Sequence, residues 1–265
     1  MTIALAWLRK FGSVEELVLA SDSRLSGYGR WDCCPKLIAL PRKDSAICFS
    51  GTTAYAYPVI IQALSAIEEH PKVMSRALDL EDLKGHLLRI LNSMVSLMKD
   101  LPTPESPDTN FILAGWSWKR NRFAAWLFHF DTSIKKFTFR PITWWKGGHQ
   151  GKFLGFTGDY KDEFKKRLND LLRKRKKIDK SGFDMEPFEV LRDMLRSNQF
   201  DSIGGAPQVM KVYRHINCTP FPVFWPSRKN GKIHLLGRPL LEYESSQYLV
   251  LNPDTLKTMK HVNVR

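Results

Sequence analysis

Segments typical of β-strands and segments typical of helices occupy separate blocks of this chain, and that order restricts the folds it can adopt. Short apolar runs bounded by turn residues fill the first fifty residues. Similar runs recur between residues 111 and 156 and from residue 209 onward. Apolar residues at helical spacing fill the stretches between them. They predict helices over residues 53–69, 79–99, 159–178 and 187–196.

Grouped strands with segregated helices indicate an α+β fold rather than a parallel doubly wound sheet. We predict a four-layer αββα sandwich, in which two antiparallel sheets pack together and helices cover their outer faces. Residues 1–220 form the predicted domain, and residues 221–265 form a C-terminal extension packed on or beside it. A chain of 265 residues, 43% of them hydrophobic, can bury such a core without disulfide or metal staples.

Cysteine usage and the first residues favour a cytoplasmic protein. The four cysteines show no zinc-ligand spacing, so we expect no metal and no other cofactor. The first eight residues lack the basic region and the cleavage site of a secretory signal. No apolar run approaches the roughly 18 residues needed to span a bilayer, so we expect no membrane association.

Thr2 directly follows Met1, and this position gives a threonine a reactivity that it otherwise lacks. Removal of Met1, which generally requires a small second residue, would leave Thr2 with a free α-amine. That amine has a reference pKa of roughly 7.7–8.0, so a neutral fraction accepts a proton near pH 7. A threonine hydroxyl needs such an adjacent base to become a nucleophile. The alternative interpretation of Thr2 is an ordinary strand start.

Short motifs follow Thr2 in a defined order. They are Thr2-Ile-Ala-Leu-Ala, Asp22-Ser23-Arg24, Pro35-Lys36-Leu37, Ser50-Gly51, Thr157-Gly158 and Asp201-Ser202-Ile-Gly-Gly205. In this order, over about residues 2–213, they resemble the β-subunit family of proteasomes, which includes the bacterial two-ring peptidase that works with an unfoldase. The resemblance implies an N-terminal nucleophile hydrolase fold and a threonine peptidase or amidase.

The resemblance also implies roles for individual residues. Thr2 would attack a peptide or amide carbonyl, and water would then release the ester. Lys36 would stabilise the developing alkoxide, Asp22 would hold Lys36, and the N–H of Gly51 would bind the oxyanion. The remaining residues of the implied site are Thr157, Asp201 and Ser202 in the catalytic set, with Ser23, Arg24, Ser50 and Gly158 supporting it.

Three departures from the family pattern leave alternatives open. The linker over residues 9–15 is longer than the usual tight turn. The segment from Asp201 to Gly205 is one residue short, so Asp201, Ser202 or neither takes the supporting role. Thr157 stands where serine is usual and keeps the hydroxyl. A catalytically inactive scaffold on the same fold is the alternative to an enzyme.

Partners follow from the resemblance and from charge. Family members form rings, which implies a homo-oligomeric ring, a peptide or protein substrate and an ATP-dependent unfoldase. The chain carries 41 Lys and Arg against 27 Asp and Glu. The densest basic run comprises Arg173, Lys174, Arg175, Lys176 and Lys177. We favour a solvated outer helix for this run, with a nucleic-acid partner as the alternative.

Overall fold

The computed structural model describes residues 2–27, 29–99, 107–143, 152–215 and 217–260, and Met1 lies outside them. Within these residues the helices are α1 (Thr53–Glu68), α2 (Pro71–Met74), α3 (Leu80–Ser96), α4 (Lys161–Lys174) and α5 (Glu186–Ser197). The longer strands are β1 (Ile3–Phe11), β2 (Val14–Ser21), β5 (Leu37–Ala39), β6 (Ser45–Gly51), β7 (Thr109–Ser117), β8 (Arg122–Asp131), β9 (Lys136–Pro141), β10 (Leu154–Gly158), β11 (Gln208–Tyr213) and β12 (Asn217–Phe221). The shorter strands are β3 (Leu25–Ser26), β4 (Arg30–Trp31), β13 (Val223–Trp225), β14 (Lys232–Leu235), β15 (Arg238–Pro239), β16 (Val250–Leu251) and β17 (Thr258–Met259).

Two five-stranded antiparallel sheets form the centre of the fold. The first has the order β10-β1-β2-β11-β12, and the second has the order β5-β6-β7-β8-β9. The expected long linker over residues 9–15 is wrong, because β1 and β2 extend into it until Phe11 pairs with Val14. Gly12 has a φ of +59°, which permits this two-residue turn.

Three buried clusters fix the order of the layers. Side chains of β1 alternate, so Ile3 and Leu5 face one side of the sheet and Ala4 faces the other. The cluster between the two sheets includes Ala4, Ala6, Leu19, Cys48, Ile112 and Ala114. The outer clusters pack the first sheet against α4 and α5 through Phe164 and Phe188, and the second against α1 and α3 through Ile60 and Leu87. The layers are therefore helices, sheet, sheet, helices, and the predicted α+β class with antiparallel sheets is confirmed.

The C-terminal segment contributes a third sheet that the sequence did not predict. Its order is β15-β14-β13-β16-β17, and β13 and β16 run parallel. These strands have two to four residues each, too few to show a period. Val223 and Leu251 anchor this sheet in the core beneath α4 and α5. A small two-stranded sheet, β3-β4, follows β2 in the chain.

Helix termini differ from the prediction, most clearly at the end of α4. The helix predicted over residues 159–178 ends at Lys174, because Lys176 takes a left-handed φ of +53°. At α1, Thr52 is the N-cap residue but makes no capping hydrogen bond with its side chain, and Ser50 and Gly51 belong to β6. No helix in the described residues combines the length and apolarity needed to cross a membrane.

Candidate active site

Thr2, Asp22 and Lys36 meet at one end of the inter-sheet core, and we call these three residues the Thr2 cluster. Thr2 lies directly before β1, Asp22 directly after β2, and Lys36 directly before β5. Lys36 Nζ donates hydrogen bonds to Thr2 Oγ1 at 2.7 Å and to Asp22 Oδ1 at 2.9 Å. All three residues are buried. The cluster therefore holds a cation against a threonine hydroxyl.

Backbone N–H groups surround the Asp22 carboxylate. Ile3 N donates to Oδ1, and Arg24 N and Gly204 N donate to Oδ2, each at 3.1 Å. Burial raises the pKa of Asp22, while Lys36 and the N–H groups of Gly204 and Ile3 act to lower it. Burial likewise lowers the pKa of Lys36, and Asp22 opposes that shift. Lys36 and Asp22 thus form a buried pair of oppositely charged side chains next to Thr2, the residue that precedes β1.

Gln208 fixes the backbone on both sides of Lys36, and sequence reasoning missed it. Its Oε1 accepts from Lys36 N at 2.9 Å, and its Nε2 donates to Cys34 O at 2.7 Å and to Asp22 O at 3.2 Å. The side chain is buried at the start of β11. Nothing in the sequence around Gln208 indicates that its side chain would bond to the backbone of a distant loop.

Gly51 ends β6 with its N–H on the side of the strand that faces β5. Thr52 N donates to Asp108 O at 2.7 Å across the ladder between β6 and β7. Neighbouring residues in an antiparallel strand send their N–H groups to opposite sides, so the Gly51 N–H faces the β5 side. Gly51 has a φ of +101°, and a Cβ there would lie 2.1 Å from Asp108 O, so only glycine fits.

Gly158 repeats this arrangement in the other sheet. It ends β10 with a φ of +107°, and a Cβ at this position would lie 1.9 Å from the carbonyl oxygen of Thr2. Its neighbour Thr157 places Oγ1 2.6 Å from Ser50 Oγ, which joins the two sheets beside the Thr2 cluster. Gly158 therefore packs directly against Thr2, and Thr157 and Ser50 link the two sheets next to it.

Of the two candidates in the 201–205 segment, Ser202 lies next to the cluster. Ser202 Oγ donates to Asp159 Oδ2 at 2.6 Å, and Asp159 N donates to Thr2 O at 2.8 Å. The Asp201 side chain is 90% exposed and pairs with Arg30 at 3.1 Å. The structure therefore does not bring the Asp201 carboxylate to the cluster, and it adds Asp159, which the sequence did not single out.

Ser23 and Arg24 brace the loops that hold Asp22. Arg24 grips the Asp32 carboxylate with two hydrogen bonds of 2.7 Å and donates to Ile203 O at 3.0 Å. Ser23 Oγ donates to Ala206 O at 2.7 Å. These contacts fix the loop whose Gly204 N–H binds Asp22.

The turn between β14 and β15 also packs against this region. Gly237 in this turn has a φ of +93°, and a Cβ there would lie 2.4 Å from the Cβ of Ser23. The C-terminal segment therefore contacts the residue that follows Asp22 in the chain.

The basic run lies away from the cluster, at the end of α4, and two of its five residues are neutralised. Arg175 forms two hydrogen bonds to Glu189, at 2.5 and 2.8 Å, and Lys177 pairs with Glu186 at 2.6 Å. Both glutamates lie in α5 and are buried. Arg173 has a long contact of 3.8 Å with Asp170, and Lys174 and Lys176 are exposed. Arg175 and Lys177 therefore link the segment that follows α4 to α5 through ion pairs.

The described residues contain no group of three His, Cys, Asp or Glu side chains arranged to hold a metal ion. No known protein family model matches the chain, and no curated protein sequence matches it significantly. The functional interpretation therefore depends on the geometry of the Thr2 cluster.

Proposed function

We propose that this chain is a threonine-type peptidase or amidase of the proteasome β-like kind, with the αββα fold of N-terminal nucleophile hydrolases. The supporting observation is the contact of 2.7 Å between Lys36 Nζ and Thr2 Oγ1, in a cluster closed by Asp22. A buried lysine in hydrogen-bond contact with a threonine hydroxyl stabilises the alkoxide that forms as the hydroxyl loses its proton.

The reaction requires that Thr2 become the first residue. Its α-amine then takes the proton from Oγ1 as Oγ1 attacks the substrate carbonyl carbon, and the Gly51 N–H receives the oxyanion. The amine returns the proton to the leaving nitrogen as the C–N bond breaks, which leaves an ester on Thr2. Water then attacks the ester carbon with the same amine as base, and the amine returns that proton to Oγ1 as the C–O bond breaks and the acid product departs.

A mass measurement tests this proposal. Protein with a C-terminal tag only is treated with a threonine-directed epoxyketone or β-lactone, and its intact mass is recorded before and after. We expect loss of Met1 and one adduct, absent from Thr2→Ala and retained in Thr2→Ser. Protein that begins at Thr2 but forms no adduct with either reagent would contradict an active nucleophile and support the inactive scaffold.

The proposal extends to assembly and partners. A ring of identical subunits would enclose the Thr2 site, and a separate ATP-dependent unfoldase would deliver protein substrates. Sedimentation velocity tests the ring, since a monomer at micromolar concentration would contradict it. A nucleic-acid partner receives less support, because Arg175 and Lys177 already neutralise buried glutamates.

A further inference from the structure

Asp159, in the turn between β10 and α4, contributes a second carboxylate near the Thr2 cluster. The Asp159 backbone N–H donates to Thr2 O at 2.8 Å, so the two residues are in direct contact. Gly158, immediately before it, approaches Thr2 so closely that no side chain fits. This turn is therefore held in a fixed position relative to the N-terminal residue of the cluster.

The Asp159 side chain is fixed as well. Ser202 Oγ donates to Asp159 Oδ2 at 2.6 Å, and the loop that carries Ser202 is tied to Asp22 through Gly204. A carboxylate accepts several hydrogen bonds, so the bond from Ser202 leaves further acceptor capacity on Asp159. The side chain is half-buried, which leaves its charge less screened than at the surface.

Electrostatics also connects Asp159 with the reacting end of the cluster. Burial lowers the pKa of Lys36, Asp22 opposes this shift most strongly, and Asp159 opposes it as well. Lys36 Nζ in turn contacts Thr2 Oγ1. Asp22 is already engaged by Lys36 and three backbone N–H groups. Removal of Met1 would expose an α-amine on Thr2, the residue whose carbonyl oxygen already accepts from Asp159 N.

We propose that Asp159, held by Ser202, is the positioning residue for the α-amine of Thr2. Its carboxylate accepts one amine N–H and thereby turns the nitrogen lone pair toward Oγ1. When the amine takes the Oγ1 proton, the resulting ammonium is stabilised by the Asp159 charge until the proton passes to the leaving nitrogen. This inference rests on the function proposed above, and it assigns to Asp159 the role that the sequence left between Asp201 and Ser202.

The test compares Asp159→Asn and Asp201→Asn, with Asp162→Asn as the matched control. Asp162 is an exposed acid in the first turn of α4, close to Asp159 in the chain. Asparagine at 159 keeps the backbone bond to Thr2 and an acceptor for Ser202, so the fold is preserved. The first readout is the rate constant of epoxyketone adduct formation as a function of pH.

We expect Asp159→Asn to slow adduct formation by about 10- to 100-fold, below the roughly 100- to 10,000-fold contribution of a general base, because the variant weakens the orientation of the amine but keeps the amine itself. Loss of the negative charge also lowers the pKa of the amine, so the acidic limb of the profile moves about one unit toward lower pH. Asp201→Asn and Asp162→Asn should leave both quantities unchanged. An unchanged Asp159→Asn profile, or a loss found in Asp201→Asn instead, overturns the assignment.

A second readout separates this inference from the proposed function. The α-amine pKa of protein that begins at Thr2 is measured by NMR titration of carbon-13-labelled threonine, which requires no reactivity. A lower amine pKa in Asp159→Asn, together with no adduct in the wild type, supports the contact and contradicts the enzyme. An adduct in the wild type with equal amine pKa values in both proteins supports the enzyme and overturns the role of Asp159.

Discussion

Lys36 and Asp22 form an ion pair from which solvent is excluded. Nζ lies 2.9 Å from Oδ1, and both side chains are 0% exposed. Removing two charges from water carries a penalty of several kcal/mol per ion, so such a pair is weak evidence of a stabilising role. Under the proposed function, the pair serves the reaction of the Thr2 hydroxyl that Lys36 contacts, rather than stability.

Lys36→Met tests this interpretation. The substitution leaves the buried Asp22 carboxylate without its cation, and we expect the free energy of unfolding to fall by about 3–5 kcal/mol. Adduct formation at Thr2 should be lost. Adding Asp22→Asn removes the unpaired charge, so it should restore part of the stability but none of the reactivity. Urea titration measures the first quantity and intact mass the second.

A second buried ion pair provides the matched control. Lys211 Nζ lies 2.7 Å from Glu16 Oε1, with side-chain exposures of 8% and 6%, and neither residue touches the Thr2 cluster. Lys211→Met should destabilise the chain while the folded protein keeps its adduct rate. Equal loss of reactivity in the folded forms of both variants would show that Lys36 acts only on stability.

Asp79 makes the stability of α3 dependent on pH. Burial acts to raise the pKa of Asp79, but hydrogen bonds from Glu81 N, Ser117 Oγ and Lys119 N outweigh it, so the pKa lies below its usual value. A carboxylate with a lowered folded-state pKa stabilises the fold above its unfolded value of about 3.9. That contribution is lost as the pH falls through the folded-state value.

Asp79→Asn keeps a capping side chain but removes this titration. Between about pH 5 and pH 2, we expect the wild-type urea midpoint to fall more steeply than that of the variant. At pH 7 the variant should be less stable by about 1 kcal/mol, because the donors at Glu81 N, Ser117 Oγ and Lys119 N then bond a neutral amide instead of a charged carboxylate. Parallel pH dependences would contradict the role of Asp79. Urea midpoints recorded at each pH decide between the two outcomes.

Gly237→Ala should damage the candidate site from the far end of the chain. The added methyl meets Ser23 at 2.4 Å, and alanine is strained at a φ of +93°. Gly12→Ala is the control, because Gly12 has a φ of +59° with no atom within 4 Å of a new Cβ. Gly12→Ala should cost about 1 kcal/mol of stability with no change in adduct rate. Gly237→Ala should cost more and slow the reaction, and equal effects would exclude a contribution from the turn.

Arg175→Ala and Lys176→Ala separate structural charge from surface charge. Arg175 holds a buried glutamate, so its loss should reduce the free energy of unfolding by about 2 kcal/mol. Lys176 is exposed, and its loss should change stability by less than about 0.5 kcal/mol. Denaturant titration checks both values. Binding of a DNA duplex that weakens steeply with salt, and weakens further in Lys176→Ala, would instead support the nucleic-acid alternative.

Sequence patterns predict those features of the fold that depend on residues close together in the chain, such as strands, helices and their buried faces. The continuous apolar run of β1 and the helical spacing in α3 predict that Leu5 and Leu87 are core residues, and both lie in buried clusters. The resemblance to proteasome β-subunits implies that the fold brings Thr2, Asp22 and Lys36 together, and these three residues are in contact. Each lies at the end of a strand, where the pairing of strands determines its position.

Contacts made by side chains across the fold could not be predicted in this way. The hydrogen bond from Gln208 to Cys34 joins positions 174 residues apart, and no spacing of residues in the sequence predicts it. The same applies to Ser202 and Asp159, where one missing residue in the 201–205 segment left the choice of side chain open. The ion pair between Arg175 and Glu189 could not be predicted either, because the net charge of one helix does not show which side chains of the adjacent helix face it.

The hydrogen bond from Gly204 to Asp22 joins residues 182 positions apart. Its consequence concerns timing during synthesis. Thr2 and Asp22 leave the ribosome early, whereas the loop that fixes the Asp22 carboxylate is made much later. Under the proposed function, an N-terminal threonine on the growing chain would lack this support until most of the chain has been made, so the nucleophile would become reactive only after the protein has folded around it.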